Sequence, residues 1–158
     1  MTTATRPTLG PMMSLTCFQY LRIGAEEVAE RAPVVAAGRK RGAELVDQLG
    51  LRGNTTDGAK ITSLLDAALG VNGTRLCLIT SITETADGGY EVRLTEGACT
   101  AGQSSDTPLC AFTLGVFVGA IQALSGRVLR GRSAPAAPAA PLSASTSSTR
   151  SNWHDPPL

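Results

Sequence analysis

Apolar and polar residues in the first half of the chain recur at helical spacing. Leu15, Phe18, Leu21, Val28 and Ala32 mark one face, with Glu26, Glu27 and Glu30 on the other, and Ser14 stands where an N-cap belongs. This predicts a helix over 15–31 with its carboxylates in water. Pro33 suits the first turn of a second helix, 34–49, closed by Gly50. After the turn-forming run Arg52-Gly53-Asn54-Thr55-Thr56-Asp57-Gly58, the apolar positions Ile61, Leu64, Leu65 and Ala68 predict a third helix over 59–69, ended by Gly70.

The period then changes from that of a helix to that of a strand. Residues 74–85 alternate in part and 90–96 alternate cleanly, with Asp87-Gly88-Gly89 between them as a hairpin turn. A polar loop over 97–108 leads to an apolar helix of about four turns, too short for the roughly 20 residues that span a bilayer and therefore a core helix. A short third strand is expected near 127–130. The order predicts an α+β domain with about four helices packed on a small antiparallel sheet.

Glycine is costly inside a helix, by about 1 kcal/mol against alanine. The chain nevertheless repeats it four residues apart twice, at Gly38 and Gly42 in the second helix and at Gly115 and Gly119 in the last. Two glycine faces predict close helix packing, either within one subunit or across a two-fold axis; the expected use is a homodimer.

Composition narrows the partners and the chemistry. The 158 residues carry 42% apolar side chains and a formal net charge of +1, which gives no case for nucleic acid. Residues 1–13 read as a flexible lead, 14–132 as the folded domain and 133–158, rich in Pro, Ala and Ser, as a disordered tail. The N-terminus shows no export signal, so a cytoplasmic setting with free thiols at Cys17, Cys77, Cys99 and Cys110 is expected. Arg39-Lys40-Arg41 reads as a solvated helix face. The single histidine, His154, lies in the tail, and no catalytic residue is assigned. Cys99 and Cys110 end the polar loop. If its base is closed they could share a zinc ion with Glu96 as a third ligand, one short of the usual four.

The segment Pro108-Leu109-Cys110, then Gly115, Gly119 and Gly126-Arg127-Val128-Leu129, resembles the signature of the 4-vinyl-reductase (hydrocarbon-binding) domain family. Arg6-Pro7-Thr8-Leu9-Gly10, Phe18-Gln19-Tyr20-Leu21-Arg22 and Gly38-Arg39-Lys40-Arg41-Gly42 are similar to its N-terminal part. The resemblance implies a module that binds a small hydrophobic or aromatic ligand for sensing, carriage or delivery. Phe18, Phe112, Phe117 and Ile121 are the ligand-binding candidates. The resemblance also implies two alternatives: a component of tetrapyrrole 4-vinyl reduction, or a scaffold subunit, since the family shares a fold with a subunit of vesicle-tethering complexes. It further implies a downstream Glu-x-x-Cys segment, which this chain lacks: Gly131-Arg132-Ser133-Ala134-Pro135 follows Arg130 directly.

Overall fold

The computed structural model describes residues 14–101, 110–133 and 142–147. Among them four helices and four strands follow the order α1 (Leu15–Val28), α2 (Arg31–Gln48), α3 (Gly58–Leu69), β1 (Leu78–Glu84), β2 (Tyr90–Thr95), α4 (Ala111–Ser125), β3 (Arg130–Ser133) and β4 (Leu142–Ser147). The α+β class follows directly.

Local chemistry accounts for most of the boundaries. The Ser14 hydroxyl accepts the amide of Cys17 at 3.1 Å, and the Asp57 carboxylate accepts that of Lys60 at 2.7 Å. Both satisfy amides that have no partner in the first turn of a helix. The break between α1 and α2 falls at Ala29 and Glu30, both extended, and Pro33 sits inside the first turn of α2, where no amide is required. β1 starts later than the alternation predicts because residues 70–77 fold back over the end of α3. The amides of Thr74, Arg75 and Leu76 bond the carbonyls of Ala68, Gly70 and Leu69.

All strand pairs are antiparallel, in the order β1-β2-β4-β3. The hairpin turns through Gly88 at φ +78°, as the Asp-Gly-Gly sequence requires. The third strand begins at Arg130 rather than Arg127, because Gly126 takes a left-handed turn and Arg127 folds back to bond Glu84 and lie over the Tyr90 ring. At 142–147 the backbone pairs with the edges of β2 and β3. Residues 134–141 and 148–158, with His154, lie outside the described residues, as do 1–13.

The core lies around α4, which is buried on nearly every side between α2 and the sheet. The glycine faces of α2 and α4 meet there. A side-chain carbon added at Gly42 would stand 2.8 Å from the Ala120 nitrogen, with the Val116 carbonyl oxygen nearer still. One added at Gly119 would stand 2.7 Å from the Arg39 carbonyl carbon, and Gly38 and Gly115 face Phe112 and Val35 in the same way. Close packing was the right expectation for these four glycines. Of the two expected uses, these faces serve the one within the subunit: they cover each other inside one chain. Arg39 is a further correction to the solvated basic face, since it turns inward to Gln122 and the Leu129 carbonyl, while Lys40 and Arg41 remain in water beside Glu44.

Candidate functional site

The most concentrated chemistry lies where α1 crosses the first turn of α4 and the segment 97–101. Here α1 is turned opposite to the expected phase. Leu21 and Val28 are 65% and 91% exposed, whereas Arg22 is buried. The polar residues Gln19, Arg22 and Glu26 occupy the inward face, and the acceptors and donors they meet explain the choice. The Gln19 amide donates to the carbonyls of Ala98 at 3.1 Å and Ala101 at 3.0 Å. Glu26 pairs with Arg22 at 2.8 Å, and its other oxygen accepts the Ala111 amide at 3.1 Å, at the positive end of α4. The expectation that Glu26 is a solvating surface carboxylate therefore fails. A helix N-terminus with an open amide attracts it inward.

Beneath these anchors lie the two loop cysteines. Cys99 and Cys110 are both buried. The Cys99 sulfur also meets the Thr113 hydroxyl at 3.1 Å, one turn along α4 from Cys110. Cys110 holds the cap position of α4 with φ +66°, a left-handed conformation costly for a residue other than glycine. The hydrogen bond from Cys110, with help from Thr113 and Arg22, holds the Cys99 thiol below its ordinary range. The same bond, followed by burial, pushes the Cys110 thiol up.

Glu96 is not part of the site: its carboxylate is exposed and pairs with Arg75 at 3.9 Å. Among the described residues no group of three or more His, Cys, Asp or Glu side chains is placed to hold a metal ion. Two thiols fall short of a structural zinc site by two ligands.

The four ligand-binding candidates separate into two pairs. Phe117 and Ile121 are fully buried members of the core. Phe18 is half-buried on α1, one turn before Arg22, and Phe112 is half-buried beside Ala111. An open depression elsewhere, between the start of α3 and β1, is lined by Asp57, Thr62, Thr83 and Glu84 and contains none of the candidates. The anchors Gln19, Arg22, Glu26 and Thr113 were not anticipated. The signal for the three on α1 was a polar stripe at positions i, i+3 and i+7. No helix among the described residues is long and apolar enough to cross a membrane.

The chain matches no protein-family model and no curated protein.

Proposed function

We propose that this chain is a non-enzymatic binding module for a small hydrophobic or aromatic molecule, acting in the cytoplasm in sensing, carriage or delivery. The observation that carries this reading is the way α1 is attached. Polar side chains fix it over the first turn of α4, and Phe18 on α1 and Phe112 in that turn are each half-buried. Apolar ligands favour such sites, where aromatic surface lies between packed elements and a few polar groups fix orientation. Phe117 and Ile121 support the site from the core. The resemblance of the Cys110 to Leu129 segment to hydrocarbon-binding domains agrees with the same reading.

Native mass spectrometry of the purified chain, together with titration of an environment-sensitive anilinonaphthalene dye, tests it. A co-purifying apolar molecule or saturable dye binding is expected, with affinity about tenfold weaker in Phe18→Ser, equivalent to a loss of about 1.4 kcal/mol. A folded protein that carries no small molecule and binds no dye refutes it. A second reading, a scaffold acting through protein contacts, is favoured by the exposed apolar side of α1 at Tyr20, Leu21 and Val28. Size measurement of the complex recovered from cells separates the two.

A further inference from the structure

We propose that the outward side of α1 receives a second copy of this chain, packed antiparallel about a two-fold axis. Cys17, Tyr20, Leu21, Gly24 and Val28 recur at i, i+3, i+4, i+7 and i+11, so they form one stripe along the helix. It lies opposite the polar face that docks α1 on its own chain. Tyr20, Leu21 and Val28 are 72%, 65% and 91% exposed, and Cys17 and Gly24 are exposed with them. Apolar side chains gathered on one face, rather than scattered singly, mark a contact surface.

Gly24 indicates the kind of contact. Gly38, Gly42, Gly115 and Gly119 each meet the backbone of a facing helix, which accounts for glycine in the middle of α2 and α4. Nothing of this chain lies within 4 Å of a carbon added at Gly24, so no contact inside the subunit accounts for it. It is a hollow within an apolar stripe, and Leu21, one turn earlier, is a knob of matching kind. In an antiparallel pair centred between Arg22 and Ile23, Leu21 of each copy faces the partner's Gly24 and Cys17 faces the partner's Val28. Each contact is then made twice, as a two-fold interface requires.

Charge selects the direction. α1 has no acid in its first turn and no base in its last, which holds Glu27 and is followed by Glu30. Carboxylates are favoured at the positive N-terminal end of a helix and disfavoured at the other. Antiparallel pairing brings Glu27 and Glu30 of each copy toward the partner's first turn, whereas parallel pairing sets them against their own equivalents. The stripe carries no lysine or arginine, which binding to an anionic membrane would use. A face of 14 residues, about 21 Å by 10 Å, cannot supply the roughly 800 Å² per partner of a standard stable interface, so association is weak and concentration-dependent. The contact lies away from the junction of α1 with α4 and stands independently of ligand binding there.

Sedimentation velocity of the full chain under reducing conditions, from low micromolar to near-millimolar concentration, tests the proposal. The average mass should rise from that of one chain toward that of two. Leu21→Lys should weaken association at least about tenfold with an unchanged circular dichroism spectrum, and Gly24→Leu, which fills the hollow, by a similar factor. On mild oxidation, Val28→Cys should be linked to Cys17 of the partner subunit in peptide maps. The two wild-type Cys17 residues, eleven positions out of step and so about 16 Å apart along the axis, should not link. A monomer at every concentration overturns the proposal, as does a dimer that Leu21→Lys leaves intact. A Cys17–Cys17 link, no link in Val28→Cys, or undiminished association of Gly24→Leu overturns the antiparallel register.

Discussion

Replacing Gly42 by alanine should destabilise the fold, although the same exchange strengthens an ordinary helix. The new carbon would stand 2.8 Å from both the Ala120 nitrogen and the Val116 carbonyl carbon, against about 3.5–4.0 Å for a relaxed contact between carbons. Every atom in the way belongs to the α4 backbone, so no side chain can rotate aside. α2 and α4 must separate by on the order of 1 Å, and a gap of that size forfeits a quarter to a half of each dispersion contact along the crossing. Overpacking of this kind costs about 1–3 kcal/mol, sometimes more, and the helix preference of alanine returns about 1 kcal/mol. With a rigid obstacle the cost lies at the upper end, which leaves a net loss of about 2 kcal/mol. Urea unfolding followed by circular dichroism measures it. Gly24→Ala is the control, because nothing lies within 4 Å of its new carbon, and there α1 should gain up to about 1 kcal/mol of helix stability. The double variant Gly42→Ala/Gly119→Ala should lose less than the sum of its parts, since one separation of the helices relieves both contacts. A Gly42→Ala protein as stable as the wild type would refute the close-approach argument.

Glu26→Ala should release α1 without unfolding the remainder. It removes the acceptor of the Ala111 amide and the carboxylate beside buried Arg22, at a cost to docking of about 1–3 kcal/mol. Hydrogen exchange should accelerate in α1 and stay unchanged in α3 and α4; uniform acceleration would show that α1 is integral to the core. Alkaline stability should depend on Cys77, whose thiol is pushed up to about 12 by burial, then by its neighbours Cys99 and Asp66. The folded state keeps this proton above pH 9, where the unfolded chain releases it, so stability present below about pH 9 is lost as pH rises toward 12. The slope is up to about 1.4 kcal/mol per pH unit. Unfolding free energies measured from pH 8 to about 10.5 should fall less steeply in Cys77→Ala, and identical slopes would count against the assignment.

The parts of the fold that were legible in the sequence are those encoded by neighbouring residues. Ser14 as a cap, Gly70 as a stop, the Asp87-Gly88-Gly89 turn and the alternation of 90–95 each act within a few positions. The glycine pairs were legible too, because no local role justifies their cost. Features set by distant parts of the chain were not. The pairing of residues 142–147 with β2 and β3 depends on partners distant in sequence. The phase of α1 was read from hydropathy, yet the carbonyls of Ala98 and Ala101 and the amide of Ala111 select the opposite face. At the candidate site, Cys99 and Cys110 were visible as the ends of a loop. Arg22 and Glu26 were not, because an i, i+4 ion pair on a helix ordinarily lies in solvent.

Two modes of attachment thus coexist in one small domain. α2 and α4 are joined by area and close approach, with backbones in contact at four glycines, and changes in surface charge or redox state have little purchase on such an interface. α1 is the reverse: its apolar residues Tyr20, Leu21 and Val28 face outward, and hydrogen bonds from Gln19 and Glu26 hold its inner face, with Arg22 pairing Glu26 within the helix. Loss of one such bond is a large fraction of the docking energy, so α1 can respond to a chemical event that leaves the core intact. Those bonds hold the carbonyls of Ala98 and Ala101 and the amide of Ala111, next to the buried Cys99 and Cys110. Glu26→Ala should therefore act on α1 alone, while Gly42→Ala acts first on the stability of the whole domain.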